Sequence, residues 1–258
     1  MFVDSHCHLD FPDLALNIDR VLATMRSNDV AYGLCIGVNL RDFPKVLAVA
    51  EAHDNLYATV GIHPDYEDEA PTSVEELVRL SQHPKVIGIG ETGLDYYRLK
   101  GDLEWQRERF RIHIRAAIAA DIPLVVHTRE SAADTLKVMQ EENAARVGGV
   151  MHCFTETWEV AQAAMAMGFY ISFSGIVTFK NAAALKELAQ LVPLDRMLIE
   201  TDSPYLAPIP FRGKTNQPGY VRYVAEEIAK LRGISVEQVG EATSANFFRL
   251  FKQGQPCN

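Results

Sequence analysis

His6 and His8 flank Cys7 near the amino terminus. In an extended strand side chains alternate, so the two imidazoles share one side and can grip one divalent ion while the thiol points the other way. His63, Glu91, His127, His152 and Asp202 follow, each near the carboxyl end of a short apolar run. Histidine, glutamate and aspartate without thiolate suit Zn, Mn or Mg and leave room for water. One ion rarely takes more than six donors. Two ions about 3.5 to 4 Å apart, bridged by one carboxylate, use the set economically and clamp the attacking and leaving oxygens of a displacement. Glu91, in the middle of the order, is the natural bridge. Five histidines at corresponding positions have no comparable explanation as core residues, since a buried polar group without a partner costs about 1 to 3 kcal/mol.

Eight apolar runs must position these groups: residues 1–9, 31–38, 56–63, 86–91, 123–128, 148–154, 169–175 and 197–202. They are nearly continuous rather than alternating, as expected of parallel strands buried on both faces. Helical stretches lie between them, such as 103–120, where Trp105, Ile112 and Ala116 are spaced for one face. Ser73 with Glu76 and Ser235 with Gln238 fit the capping box. Residues 207–218, with Pro208, Pro210 and Pro218, read as a long loop after the eighth strand, and residues 235–252 as a closing helix. Eight βα units without a linker or a composition break predict a single-domain (β/α)8 TIM barrel over residues 1–258, with a doubly wound open sheet as the runner-up.

The 258 residues, 48% hydrophobic and 23% charged, describe an ordinary globular chain. Four cysteines (Cys7, Cys35, Cys153 and Cys257) make no disulfide framework, which suggests a reducing compartment. Without a leader or an 18-residue apolar run, the expected location is cytoplasmic, with no membrane and no obligate protein partner. Cys7 and Cys153 should point into the strand-helix layer, and His53, His83 and His113 should be solvated or helix-end residues. The net charge of -9 argues against holding nucleic acid by bulk charge. Locally, Arg98, Lys100, Arg129, Lys180, Arg212 and Lys214 follow strands four, five, seven and eight, at the mouth of the barrel. Tyr96, Tyr97, Phe154, Phe179, Tyr205 and Phe211 share those segments and either stack bases or pack.

The motifs Val3-Asp4-Ser5-His6-Cys7-His8-Leu9, Gly61-Ile62-His63-Pro64, Gly90-Glu91-Thr92-Gly93-Leu94-Asp95, His127-Thr128-Arg129, His152-Cys153-Phe154 and Glu200-Thr201-Asp202-Ser203-Pro204 together resemble the TatD family of metal-dependent hydrolases, over essentially the whole chain. The resemblance implies an amidohydrolase-like barrel and a divalent-metal deoxyribonuclease activity, with an aminoacyl-tRNA deacylase activity in some members. It implies His6, His8, Glu91 and Asp202 around one ion, and Glu91, His127 and His152 around the second.

The expected reaction is attack of an ion-activated water on a phosphodiester of DNA, with Asp202 and Glu91 catalytic and Asp202 the proton acceptor. His63 reads as a substrate-contacting or phosphate-polarising residue, and Arg129, Arg212 and Lys214 as phosphate contacts. Glu200 either orients a metal-bound histidine or makes a core salt bridge. Asp95 reads as a turn residue. The competing reading is a small-molecule or aminoacyl-tRNA ester or amide hydrolase on the same two ions.

Overall fold

A computed structural model describes residues 1–252. Its eight strands are β1 (Phe2–Cys7), β2 (Val30–Cys35), β3 (Leu56–Val60), β4 (Val86–Asp95), β5 (Leu124–Arg129), β6 (Gly149–Met151), β7 (Phe169–Phe173) and β8 (Met197–Ile199). All pair parallel, in the order β1 to β8, within one domain. Helices α1 (Pro12–Ala15) and α2 (Ile18–Ser27) follow β1, and α3 (Phe43–Glu51), α4 (Val74–Ser81), α5 (Glu104–Ala120), α6 (Ala132–Glu141), α7 (Trp158–Ala166) and α8 (Ala183–Leu191) follow the next six strands in turn. After β8 come α9 (Val221–Arg232) and α10 (Val236–Leu250).

Strand alternation divides the core in two. Val3, Leu34, Tyr57, Ile87, Val125, Val150, Tyr170 and Leu198, one from each strand, fill the barrel, and Phe247 and Phe251 from the end of α10 pack on this inner cluster. The alternate residues, among them Cys35, Ala58, Val126, Met151, Ile171 and Met197, face outward onto Met25, Val46, Leu77, Phe110 and Ile114 of the helices, and Cys7 and Ile89 join them beyond register shifts in β1 and β4. Burial on both faces is why the strands read as unbroken apolar runs.

The seam between β1 and β8 is closed by a parallel bridge of Cys7 with Ser203. Asp202 N–H donates to His6 O and His8 N–H to Ser203 O, both at 2.9 Å. Beneath them the Asp4 carboxylate accepts the Thr201 amide at 2.8 Å and its hydroxyl at 2.6 Å.

Two local expectations need correction, and one element is additional. The buried face of α5 carries Gln106, Phe110, His113, Ile114, Ala116 and Ala117; of the expected residues Ala116 is buried and Ile112 packs half-buried on the core, while Trp105 lies at the margin under the Arg109 guanidinium. Ser73 accepts the Glu76 amide at 3.2 Å, but the Glu76 carboxylate takes the Thr72 hydroxyl at 3.1 Å, so only Ser235 and Gln238 form a reciprocal box. Helix α9, between the proline-rich loop and α10, has no counterpart among the sequence expectations. Cys257 lies outside the described residues; Cys7, Cys35 and Cys153 are free thiols. No helix among the described residues is long and apolar enough to cross a membrane.

Candidate metal centre

The ligand candidates converge at the carboxyl ends of the strands. Glu91 owes its aim to an irregularity in β4. Pairing with β5 shifts register between Ile89 and Thr92, and the Glu91 amide reaches across to Gly37 O at 2.8 Å. Such a bulge re-aims one side chain without ending the strand. It needs Gly90, whose φ of +145° disfavours a side chain and whose added Cβ would lie 2.5 Å from Val125 O. Asp202 sits at φ +56°, a left-handed conformation that aspartate tolerates, and no helix starts there for it to cap.

Glu91 divides its oxygens between two clusters. Oε2 lies 3.3 Å from His6 Nε2, which is 3.5 Å from Asp202 Oδ1, itself 3.4 Å from His8 Nε2. Oε1 lies 2.8 Å from His152 Nε2, 3.1 Å from His127 Nδ1 and 3.3 Å from His63 Nε2. Among the atoms of His6, His8, Glu91, His127 and Asp202, separations of about 3.0 to 3.4 Å are the polyhedron edges expected when ligand atoms stand about 2.1 Å from a shared ion. His6 is wholly buried, yet neither ring nitrogen has a hydrogen-bond partner, and His8 Nδ1 is also unpartnered. Buried ring nitrogens left this way suit coordination better than a hydrogen-bonded core. The three tight groupings are His6 with His152 and Asp202, His6 with His8 and Glu91, and His63 with Glu91 and His127.

Electrostatics agree with a cation site. Burial pushes Glu91 up, but His152, His63 and His6 outweigh it and hold the carboxyl well below its usual range. Asp202 is likewise pushed up by burial and brought below its usual value by the bond from His8 and the field of His6. Burial lowers His152, yet Glu91 and Glu200 carry it well above an ordinary histidine. The carboxylates thus draw positive charge inward, a demand that divalent ions satisfy.

Two histidines are braced from behind. His152 Nδ1 faces Glu200 Oε1 at 3.2 Å, and the same oxygen accepts the Cys153 amide at 2.8 Å. His127 Nε2 faces Asp95 Oδ2 at 3.0 Å. A carboxylate behind a ligating imidazole fixes its tautomer and raises its basicity. Of the two readings for Glu200, the histidine-orienting one matches this contact. Asp95 does more than turn the chain: its Oδ1 accepts the Tyr97 and Arg98 amides, both at 2.9 Å, while Oδ2 serves His127. The bonds from His127 and those amides overcome burial and hold it at about 2.

A cavity of about 600 Å³ opens above the ligands, walled by Phe11, Tyr66, Tyr205 and Ile176 on its apolar side and by Arg98 and Arg129 elsewhere. Arg129 lies 3.9 Å over the Tyr97 ring and has no carboxylate partner among the described residues, whereas Arg98 pairs with Asp65. Lys100, Lys180, Arg212 and Lys214 do not line the cavity; Arg212 packs 3.7 Å over Phe179. Of the aromatics, Tyr205 lines the cavity and is 56% exposed, while Phe154 is buried core and Phe211 stacks on Tyr220.

Cys7 points outward, its thiol donating to Leu34 O at 3.3 Å. Cys153 does not. Its φ of +42° turns the thiol beside Ser174 Oγ at 3.2 Å, on the cavity wall. His53 and His83 are half-buried in connections, but His113 is wholly buried, against expectation. Gln106 and His113, seven residues apart on either side of Phe110, are the polar members of a helical face that periodicity alone could have marked.

An eight-stranded parallel barrel carrying histidines and carboxylates at its carboxyl rim defines a metal-dependent hydrolase. The family model described as TatD related DNase matches residues 3–252. The uncharacterized metal-dependent hydrolase YcfH of Escherichia coli K12 is 46% identical over 252 residues, covering 96% of this chain and 95% of that one. A protein of Erwinia tasmaniensis named 3'-5' ssDNA/RNA exonuclease TatD is 30% identical over 255 residues, 96% of this chain and 98% of its own. The crystal structure of YjjV, a TatD homologue from Escherichia coli K12, superposes with a TM-score of 0.90 at 28% identity, over 97% and 98% of the two chains. The chain belongs to the TatD family.

Proposed function

We propose that this protein is a divalent-metal-dependent deoxyribonuclease that hydrolyses phosphodiester bonds at strand ends or short stretches of DNA. The observation that carries the reading is the division of Glu91 between two clusters, Oε2 toward His6 and Oε1 toward His127 and His152, beneath a cavity with Arg129 at its wall. His6, His8, Glu91 and Asp202 would hold one ion, and Glu91, His127 and His152 the other. When bound, such ions make water acidic enough to attack at neutral pH and offset charge on the phosphoryl oxygens. The name of the Erwinia relative supports a nucleic-acid substrate.

The side chains have separable tasks. Asp202 is the site carboxylate with most access to the cavity, 17% exposed against 4% for Glu91. It stays ionised and accepts the proton of the attacking water as oxygen bonds to phosphorus and the ester oxygen departs. Glu200 and Asp95 keep His152 and His127 from rotating. His63 contacts the phosphoryl group. Arg129 meets the neighbouring phosphate, with Arg212 and Lys214 further along the strand. A net charge of -9 keeps such contacts few, so product is released readily.

The test is an activity screen of protein reconstituted with Mg, Mn or Zn on single-stranded DNA, duplex DNA, RNA, aminoacyl-tRNA and generic phosphodiesters. Metal-dependent cleavage of DNA supports the proposal. Turnover confined to an ester or amide, with no nucleic acid cut, overturns it.

A further inference from the structure

The segment carrying His63 has no regular structure between the end of β3 at Val60 and the start of α4 at Val74, so its backbone groups must find partners elsewhere. Several find α5. Gln106, Arg109 and His113 stand three and four residues apart on that helix and share a face. His113 gives Nδ1–H to Arg109 O at 2.8 Å, which leaves Nε2 to accept the Ile62 amide at 3.0 Å. Gln106, 1% exposed, donates to Pro64 O and Asp95 O, both at 3.2 Å, and accepts the Asp95 amide at 3.1 Å. Arg109 donates to Tyr66 O at 2.7 Å and Glu69 O at 3.4 Å. The bonds fall on both sides of His63, and Gln106 also grips Asp95, the carboxylate behind His127.

This clasp bears on a tautomer. Within the held segment the Asp65 amide donates to His63 Nδ1 at 3.1 Å. A neutral imidazole that accepts at Nδ1 carries its proton on Nε2, the atom 3.3 Å from Glu91 Oε1. A protonated ring nitrogen cannot ligate a metal, so His63, although grouped in space with Glu91 and His127, is a donor at Nε2, facing Glu91 Oε1 at the edge of the cavity it lines.

We infer that Gln106, Arg109 and His113 are positioning residues: they hold residues 62–69 so that Asp65 fixes the His63 tautomer and Nε2–H is presented to the substrate oxygen. That the recipient is a phosphoryl oxygen rests on the proposed nuclease reading; the clasp and the tautomer do not. A reacting geometry tolerates little drift, a misplacement of about 1 Å costing on the order of 100-fold in rate.

The test is NMR of the Zn-loaded protein, labelled with 15N at histidine for the ring signals and uniformly for the Ile62 amide, beside rates on a generic phosphodiester. Wild-type His63 is expected with its proton on Nε2 and the Ile62 amide slow to exchange. His113→Phe keeps bulk and removes the acceptor. Arg109→Leu frees the Tyr66 and Glu69 carbonyls from outside the core, and it stands in if the first variant fails to fold. Each should give His63 a mixture of tautomers and lower kcat by roughly 10- to 100-fold with KM little changed. His113→Gln, whose Oε1 can accept the Ile62 amide, should restore both. A single unchanged His63 tautomer in His113→Phe and Arg109→Leu, or equal loss in the Gln and Phe variants, overturns the clasp. A wild-type His63 protonated on Nδ1 overturns the tautomer. If the NMR pattern holds and no phosphodiester is cut, the nuclease reading fails and the clasp stands.

Discussion

Protonation of His113 is work that the fold refuses. Burial holds its imidazole down at about 4 against an ordinary 6.5. Nδ1–H is already given to Arg109 O and Nε2 receives the Ile62 amide, so a second ring proton would break the second bond inside the barrel wall. The unfolded chain takes up this proton near pH 6.5 and the folded chain only near 4. The contribution to stability is therefore complete above 6.5 and lost progressively as pH falls toward 4. At 1.36 kcal/mol per pH unit the loss is about 3 kcal/mol. His113→Gln has no proton to accept and retains an acceptor for Ile62. Urea unfolding of wild type and variant, run in parallel from about pH 7.5 to about 4 with chelator present, isolates the effect, because every other titrating group is common to both. The stability difference between them should shift by about 3 kcal/mol against the wild type across that range. Parallel curves would refute the reasoning, since they would mean that the folded site accepts the proton.

Asp202→Asn should lower phosphodiester turnover by about 100- to 10,000-fold while bound metal, measured by elemental analysis, is largely kept; unchanged turnover removes Asp202 as proton acceptor. Glu91→Gln should lower the metal content of both clusters together, because one oxygen of the carboxylate faces each, and retention of two ions per chain would contradict a shared ligand. Glu200→Gln should weaken metal affinity by about 10- to 100-fold through His152, read by competition with a chelating dye. Reversing Arg129, Arg212 and Lys214 to Glu should slow DNA hydrolysis and flatten its dependence on salt by about one phosphate contact per residue engaged; indifference to the triple change would end the phosphate-track idea.

The barrel was legible because each strand is buried on both faces and so announces itself as an apolar run; the histidines and carboxylates gathered at its rim were legible because they are concentrated at the ends of those runs. What escaped depends on contacts between distant segments. His113 reads as a solvated helix residue until β3 is seen to bring the Ile62 amide to it. Cys153 follows strand alternation on paper, but its positive φ turns the thiol to the cavity instead. Phe154, placed near the mouth by sequence position, is 1% exposed because its own strand has already ended and its ring turns into the outer core. Trp105 has helical spacing with Ile112, yet the neighbours of α5 bury the adjacent stripe through Gln106 and Phe110. Periodicity says that a helix has a face; only packing says which.

The seam between the first and last strands has a consequence for incomplete chains. His6 comes from the first strand, His8 from just after it and Asp202 from just after the eighth, and the contacts that bring them together join residues as much as 197 apart in sequence. Closing a loop of that length costs about 5 kcal/mol of chain entropy. An ion held by the proposed ligands across the join would act as a reversible staple on a ring made from most of the molecule, and only after both strands are in place. A chain truncated within its first strand, or one whose eighth strand has not docked, is left with an open sheet edge and half a ligand set. The residues gathered at the rim are thus assembled only by the completion of the ring itself.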